Sequence, residues 1–188
     1  MKKFKLIALL LVSVLLLTGC DLLPMNKSNN KPAKGNCSVF DCINKISTKD
    51  DLAKVTKIMG FDGEKTTEGT GYVIYKWVVN SEKNEAVQVQ FYSGASSNYS
   101  NVSITFSDSD IKNPNVDFSK YEEVKKAMNN KEKLTYKDLK NNFKADGVLI
   151  EKTNYSTRYR WVNQKGGYIN ATFNNSTGYC TMIFGMIR

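Results

Sequence analysis

Tyr75-Lys76-Trp77-Val78 and Tyr159-Arg160-Trp161-Val162 spell one pattern twice: tyrosine, a base, tryptophan, valine. Successive side chains of a strand point to opposite faces, so each copy puts its two aromatic rings on one side and its base on the other. The signals around the two copies recur in the same order. Downstream, Val87-Gln-Val-Gln-Phe91 answers Ile169-Asn-Ala-Thr-Phe173, and Val102-Ser-Ile-Thr-Phe106 answers Cys180-Thr-Met-Ile-Phe184, each with the period of a half-buried strand. This alignment puts Cys180 at the core position that Val102 holds. Clusters of Asn, Gly and Ser at 93–101, 163–167 and 174–178 mark the turns between strands.

Upstream, Glu64-Lys65-Thr66 answers Glu151-Lys152-Thr153. Further back, Ser38-Val-Phe-Asp41 and Ser119-Lys-Tyr-Glu122 have the form of a capping box that opens a helix, and Thr48-Lys-Asp-Asp51 and Thr135-Tyr-Lys-Asp138 repeat the device. The second helix of each pair sets Leu52, Val55 and Met59, or Leu139 and Phe143, on one face, and Gly60 and Gly147 follow where a left-handed cap is wanted. The expected fold is therefore α+β, a tandem repeat of two αα-βββ modules with room for a fourth strand. Each module is an antiparallel sheet with helices packed on one face. Repeat 1 covers 38–107, a linker 108–118, and repeat 2 covers 119–188.

The first nineteen residues combine Lys2, Lys3 and Lys5 with an apolar run from Leu6 to Leu17, the layout of a secretory signal peptide. As a helix that run reaches about 18 Å, short of a hydrocarbon core of about 30 Å. Leu17-Thr18-Gly19-Cys20 resembles the lipobox of bacterial lipoproteins, in which the cysteine receives a diacylglycerol and becomes the mature N-terminus. On that reading residues 1–19 are removed, Cys20 carries palmitate-type acyl chains, and residues 20–37 form a flexible tether rich in Asn, Lys and Pro. Two or three chains hold a protein durably at a membrane, at about 0.8 kcal/mol per buried methylene. Among the remaining cysteines, Cys37 and Cys42 are close enough for a local disulfide or else are free thiols, and one cysteine of the three stays unpaired.

The chain has 27 basic residues, 18 acidic ones and no histidine. Loss of Lys2, Lys3 and Lys5 leaves 27 − 3 = 24 bases against 18 acids, a net charge near +6. The bases are dispersed among acids, which speaks against a nucleic-acid interface. Without histidine the usual general base and commonest metal ligand are missing, and no nucleophile elbow, P-loop or zinc motif is present. Asp108-Ser-Asp110-Ile-Lys-Asn113 lacks the glycine and closing glutamate of a calcium loop. Glu64, Glu68 and Glu151 read as solvated strand positions. No catalytic residue, metal or cofactor is expected.

Arg158 and Arg160 favour exposure of their own face, which turns Tyr159 and Trp161 inward, and Tyr75 and Trp77 with them. The opposite arrangement, with the tryptophans as exposed hot spots, stays open at this level. With the rings inward, the open face presents Arg158, Arg160, Tyr168 and Thr172 from repeat 2 beside Lys76, Gln88 and Gln90 from repeat 1.

A Thr-capped helix ending in glycine, an aromatic-x-Trp strand and two alternating strands ending in Phe resemble the repeat of the beta-lactamase inhibitory protein superfamily. The likeness is closest to Gram-positive lipoproteins with such repeats, and more distant to the SmpA/OmlA envelope lipoproteins. It covers residues 38–188 in two copies. The resemblance implies a non-enzymatic protein-binding module that grips an unidentified protein partner through its sheets. The expected place is the extracytoplasmic face of the cell membrane, held there by the lipid on Cys20. A structural or envelope-assembly lipoprotein and a small-molecule or glycan binder are the alternatives.

Overall fold

The computed structural model describes residues 35–93, 99–111 and 116–188. The signal peptide, Cys20, most of the tether and part of the linker expected from the sequence lie outside them. Ser38 caps the first helix, α1 (Val39–Lys45), its Oγ accepting from the Asp41 amide at 3.2 Å. The second, α2 (Leu52–Met59), is capped by Asp51 rather than Thr48: Asp51 Oδ1 accepts from the Lys54 amide at 2.8 Å, and Gly60 ends the helix at φ 83°. In the second half, α3 (Tyr121–Asn129) has no side-chain cap: Lys120 rather than Ser119 stands at its N-cap, and the Ser119 amide donates to Asp117. The reciprocal capping box expected at Thr135 and Asp138 opens α4 (Tyr136–Phe143). Its left-handed cap is Lys144, at φ 55°, and not Gly147.

Each helix pair is followed by four strands, so the fourth that the sequence left room for is present. They are β1 (Glu64–Gly69), β2 (Tyr72–Asn80), β3 (Glu85–Tyr92) and β4 (Tyr99–Thr105), then β5 (Val148–Lys152), β6 (Ser156–Val162), β7 (Tyr168–Asn174) and β8 (Cys180–Met186). The two sets are not separate sheets. β4 pairs with β5 through Val102 opposite Lys152 and Ser103 opposite Glu151, which makes one antiparallel sheet of eight strands in sequence order.

All four α-helices among the described residues belong to one face of this sheet. Under α1 and α2, Val39, Ile43, Ile46, Val55 and Met59 enclose Trp77, Val87, Val89 and Val102. Under α3 and α4, Tyr121, Val124, Leu139 and Phe143 enclose Trp161, Ile169, Ala171 and Phe173. Trp77 is 0% and Trp161 1% exposed, so the rings turn inward and the open alternative falls. Each indole keeps a hydrogen bond in the dry core, Trp77 Nε1 to the Phe61 carbonyl at 3.0 Å and Trp161 Nε1 to the Ala145 carbonyl at 2.9 Å. α1 also lies against β5, and Leu149 of β5 packs on the first cluster, so the core continues across the join.

Two expectations about β8 are corrected. Between Thr172–Phe173 and Met182–Cys180 the register shifts, leaving Thr181 as an extra residue. Such a bulge exchanges the faces of everything beyond it. Cys180 therefore points inward, opposite Phe173, at the position Ser100 holds opposite Phe91, while Ile183 opposite Ala171 takes the place of Val102 opposite Val89. Phe184 lands on the other face and is 42% exposed. It fills no core position, and its truncation removes none of the packing that Phe106 supplies beside Phe40.

At the entry to the fold, Cys37 and Cys42 form a disulfide, and the Asn36 amide donates to the Met59 carbonyl at 3.1 Å. The last residues assigned to the tether are thus part of the packed structure. Cys180 is a buried free thiol, its pKa pushed up to about 11 by burial.

Candidate binding face

The face turned away from the helices carries a row that crosses every strand. Successive register partners from β1 to β8 are Glu64, Lys76, Gln88, Ser103, Glu151, Arg158, Thr172 and Met182. Six of these eight come from strands interior to the sheet, and all from Lys76 to Thr172 are polar. An interior strand position that is polar has given up the burial its place in the sheet offers, so this face is built to meet water or a ligand.

At the join between the halves, Gln88, Gln90, Asn101, Ser103 and Glu151 line a depression of about 230 Å³. Its amides, hydroxyl and carboxylate offer donors and acceptors side by side. Asn101 Nδ2 donates to the Tyr92 hydroxyl at 3.0 Å, which fixes one wall. The other wall is fixed by Arg158, whose guanidinium meets Glu151 at 2.7 Å and donates through Nε to Thr172 Oγ1 at 3.2 Å.

The residues expected to form the open face, Lys76, Gln88, Arg158, Arg160 and Tyr168, all sit on it, with Gln90 and Thr172. They are not equally available. Arg160 donates to Asn170 Oδ1 at 2.9 Å and to Asp108 Oδ1 at 2.8 Å, and its guanidinium lies 4.8 Å from the Tyr168 ring centre and 5.6 Å from that of Phe106. Asp108 begins a short 3-10 turn, Asp108–Asp110, whose Asp110 is held by Lys83 at 2.8 Å. The acids that resembled half a calcium loop therefore clamp the segment after β4 onto the sheet. Arg160 and Tyr168 serve that clamp, whereas Gln88 and Gln90 line the depression, with Lys76 paired to Gln88 and Arg158 to Glu151 beside it.

Sequence reasoning missed Asn101, Ser103 and the central place of Glu151. The signal for Glu151 was available, since a carboxylate one hairpin away from Arg158 and Arg160 is a cross-strand partner for either. Its place at the middle of the sheet depended on the β4–β5 join, which no local pattern announces.

A crevice of about 450 Å³ lies on the helix side, lined by Phe40, Tyr136, Tyr159, Asp41, Asp110 and Asp146 among others. Burial and the adjacent Asp146 push the Tyr136 hydroxyl up to about 12. The three carboxylates are already engaged by Ser38, Lys83 and Lys140. Among the described residues no group of three or more His, Cys, Asp or Glu side chains could hold a metal ion, and no helix is long and apolar enough to cross a membrane.

Lys152, opposite Val102 on the helix-side face, is half-buried, and that burial lowers its pKa against the opposing pull of Asp50. The unfolded chain keeps this proton up to about pH 10.4, and the folded chain releases it sooner. Where the unfolded state binds more protons, stability rises with pH. Lys152→Met is expected to raise the thermal midpoint at pH 7 and to flatten its rise as the pH climbs toward the unfolded-state pKa of about 10.4. An unchanged pH profile would place the ammonium in free solvent.

Comparison of the chain with protein-family profiles, curated proteins and solved structures finds no match.

Proposed function

We propose that this chain is a lipid-anchored, extracytoplasmic binding protein without enzymatic activity, which takes a protein partner across the open face of its sheet. The observation that carries the reading is the polar row from Lys76 to Thr172, unbroken through six strands and drawn from both halves. A specific interface needs about 800 Å² on each partner, and a fused sheet supplies more continuous area than either half alone. The anchor rests on the lipobox at Cys20.

The beta-lactamase-inhibitor-like ancestry is part of the same proposal, in the form of two copies of an αα-ββββ module. It is supported by paired details that no fold requires. Each tryptophan bonds the carbonyl sixteen residues before it, and each packs on a glycine fourteen residues before it, Gly63 or Gly147. A glycan-binding reading has one observation in its favour, the amide-lined depression at the join.

Affinity capture from envelope extract with the full-length chain tests the proposal. The unsubstituted chain is expected to retain one stoichiometric protein, and Lys76→Ala with Gln88→Ala and Gln90→Ala to retain about ten-fold less, while the midpoint changes little, because all three lie on the face away from the core. Equal capture by both would move the interface off this face. A bound sugar with no protein would favour the glycan reading. The intact mass of the same material reads the anchor: a start at Cys20 with added acyl chains is expected, and an unmodified cysteine would remove it.

A further inference from the structure

The two edges of the sheet are built in opposite ways. β1 reads Glu64-Lys65-Thr66-Thr67-Glu68-Gly69, with Lys65 and Glu68 paired at 2.8 Å and a register shift between Lys65 and Thr67. Charges and a bulge are the means by which sheet proteins keep an edge from recruiting another strand. β8 has no charge along its free length, and its one bulge lies at the very start of it, at Thr181. Its start is covered, because the Cys180 amide donates to the Leu134 carbonyl and Thr135 bridges Tyr179. From Thr181 to Ile187 the sequence Thr-Met-Ile-Phe-Gly-Met-Ile carries no charge and no proline. Met182 at 53%, Phe184 at 42% and Met186 at 41% exposure stand side by side on the open face.

We propose that this edge pairs with the same edge of a second copy, antiparallel, with Phe184 opposite its own counterpart. The exposed apolar side chains of the open face are symmetric about Phe184, with Met182 two residues before it and Met186 two residues after it. Two-fold pairing there sets Met182 across from the partner's Met186, so that a line of thioethers and aromatic rings closes on one face. On the other face Ile183 meets the partner's Gly185, large against small, and the spacing keeps like faces together. No charge on either strand opposes the approach. The chain already uses this kind of junction once, where β4 meets β5 edge to edge. The inference is independent of the proposed function, although it would double the face on which that function depends.

Oxidative crosslinking of the full-length chain in intact cells tests it. Directly opposed residues of an antiparallel pair have Cβ atoms about 4.5–5.5 Å apart, near the span of a disulfide. Phe184→Cys is expected to give a covalent species of twice the chain mass, at least about ten-fold faster than Thr67→Cys on the β1 edge. Adding Met182→Lys should slow it about ten-fold, the equivalent of losing one buried apolar side chain. Register is read separately by mixing Met182→Cys with Met186→Cys chains, which should crosslink to each other and scarcely to themselves. The second copy is ruled out if Phe184→Cys reacts no faster than Thr67→Cys and the Met182/Met186 mixture yields no joined pair. It is equally ruled out if the adducts join the chain to a different protein.

Discussion

Trp161→Ala is expected to cost about 3 to 5 kcal/mol of unfolding free energy, and Trp77→Ala a similar amount. Trp161 packs between Phe143, Tyr136 and Tyr159, with ring centres 5.5 to 6.3 Å away, and its indole N–H is bonded to Ala145 in a site without water access. Alanine leaves a cavity and strands that carbonyl. Because β4 and β5 fuse the sheet and Leu149 packs on the first cluster, each substitution should lower one shared transition rather than split it. Denaturant unfolding followed by circular dichroism and by the remaining tryptophan's fluorescence checks this: coincident curves are expected, and two separate transitions would mean that the halves unfold independently.

The second large effect comes from adding atoms. A Cβ on Gly63 would lie 2.5 Å from Trp77 Cε2, and one on Gly147 would lie 2.7 Å from Trp161 Cε2. Neither ring can retreat, since each is pinned by its own hydrogen bond and buried on every side. Gly63→Ala and Gly147→Ala are expected to cost about 1 to 3 kcal/mol each by overpacking. At Gly147 two of the three close atoms are Trp161 Cζ2 at 2.7 Å and Cη2 at 2.9 Å, the outer part of the indole that phenylalanine lacks. Gly147→Ala should therefore cost much less when Trp161 is already Phe, a coupling that a double-mutant cycle measures. Additive losses would trace the glycine's role to backbone conformation instead.

Where side chains carried the information, the sequence could be read. Alternation of Arg158, Tyr159, Arg160 and Trp161 located the inner and outer faces, and the Thr135–Asp138 box located a helix start. What escaped had no side-chain signature. β1 has no apolar residue and is exposed almost throughout, so its only strand signal is the ladder with β2. Gly147 looked like a helix cap because it follows an apolar period; its actual partner, Trp161, lies two strands on. The faces of β8 were read one residue out of phase, because the bulge at Thr181 is an insertion in a ladder, visible only against Thr172 and Phe173. The binding face was legible by half. Lys76, Gln88 and Arg158 follow from period two, whereas Asn101, Ser103 and Glu151 became neighbours of theirs only through the β4–β5 join.

The disulfide at the entry to the fold has a mechanical consequence. A pull on the backbone from the N-terminal side of Asn36 loads the Asn36–Met59 hydrogen bond and then Cys37. From there the load divides between the backbone of 38–41 and the covalent shortcut to Cys42. The first turn of α1 cannot be drawn out like thread from a spool. Tension passes instead to the second turn of α1, whose Cys42, Ile43 and Ile46 are buried beneath the helices. There it acts along the helix against many side chains at once, and so must shear the packed layer rather than peel it residue by residue.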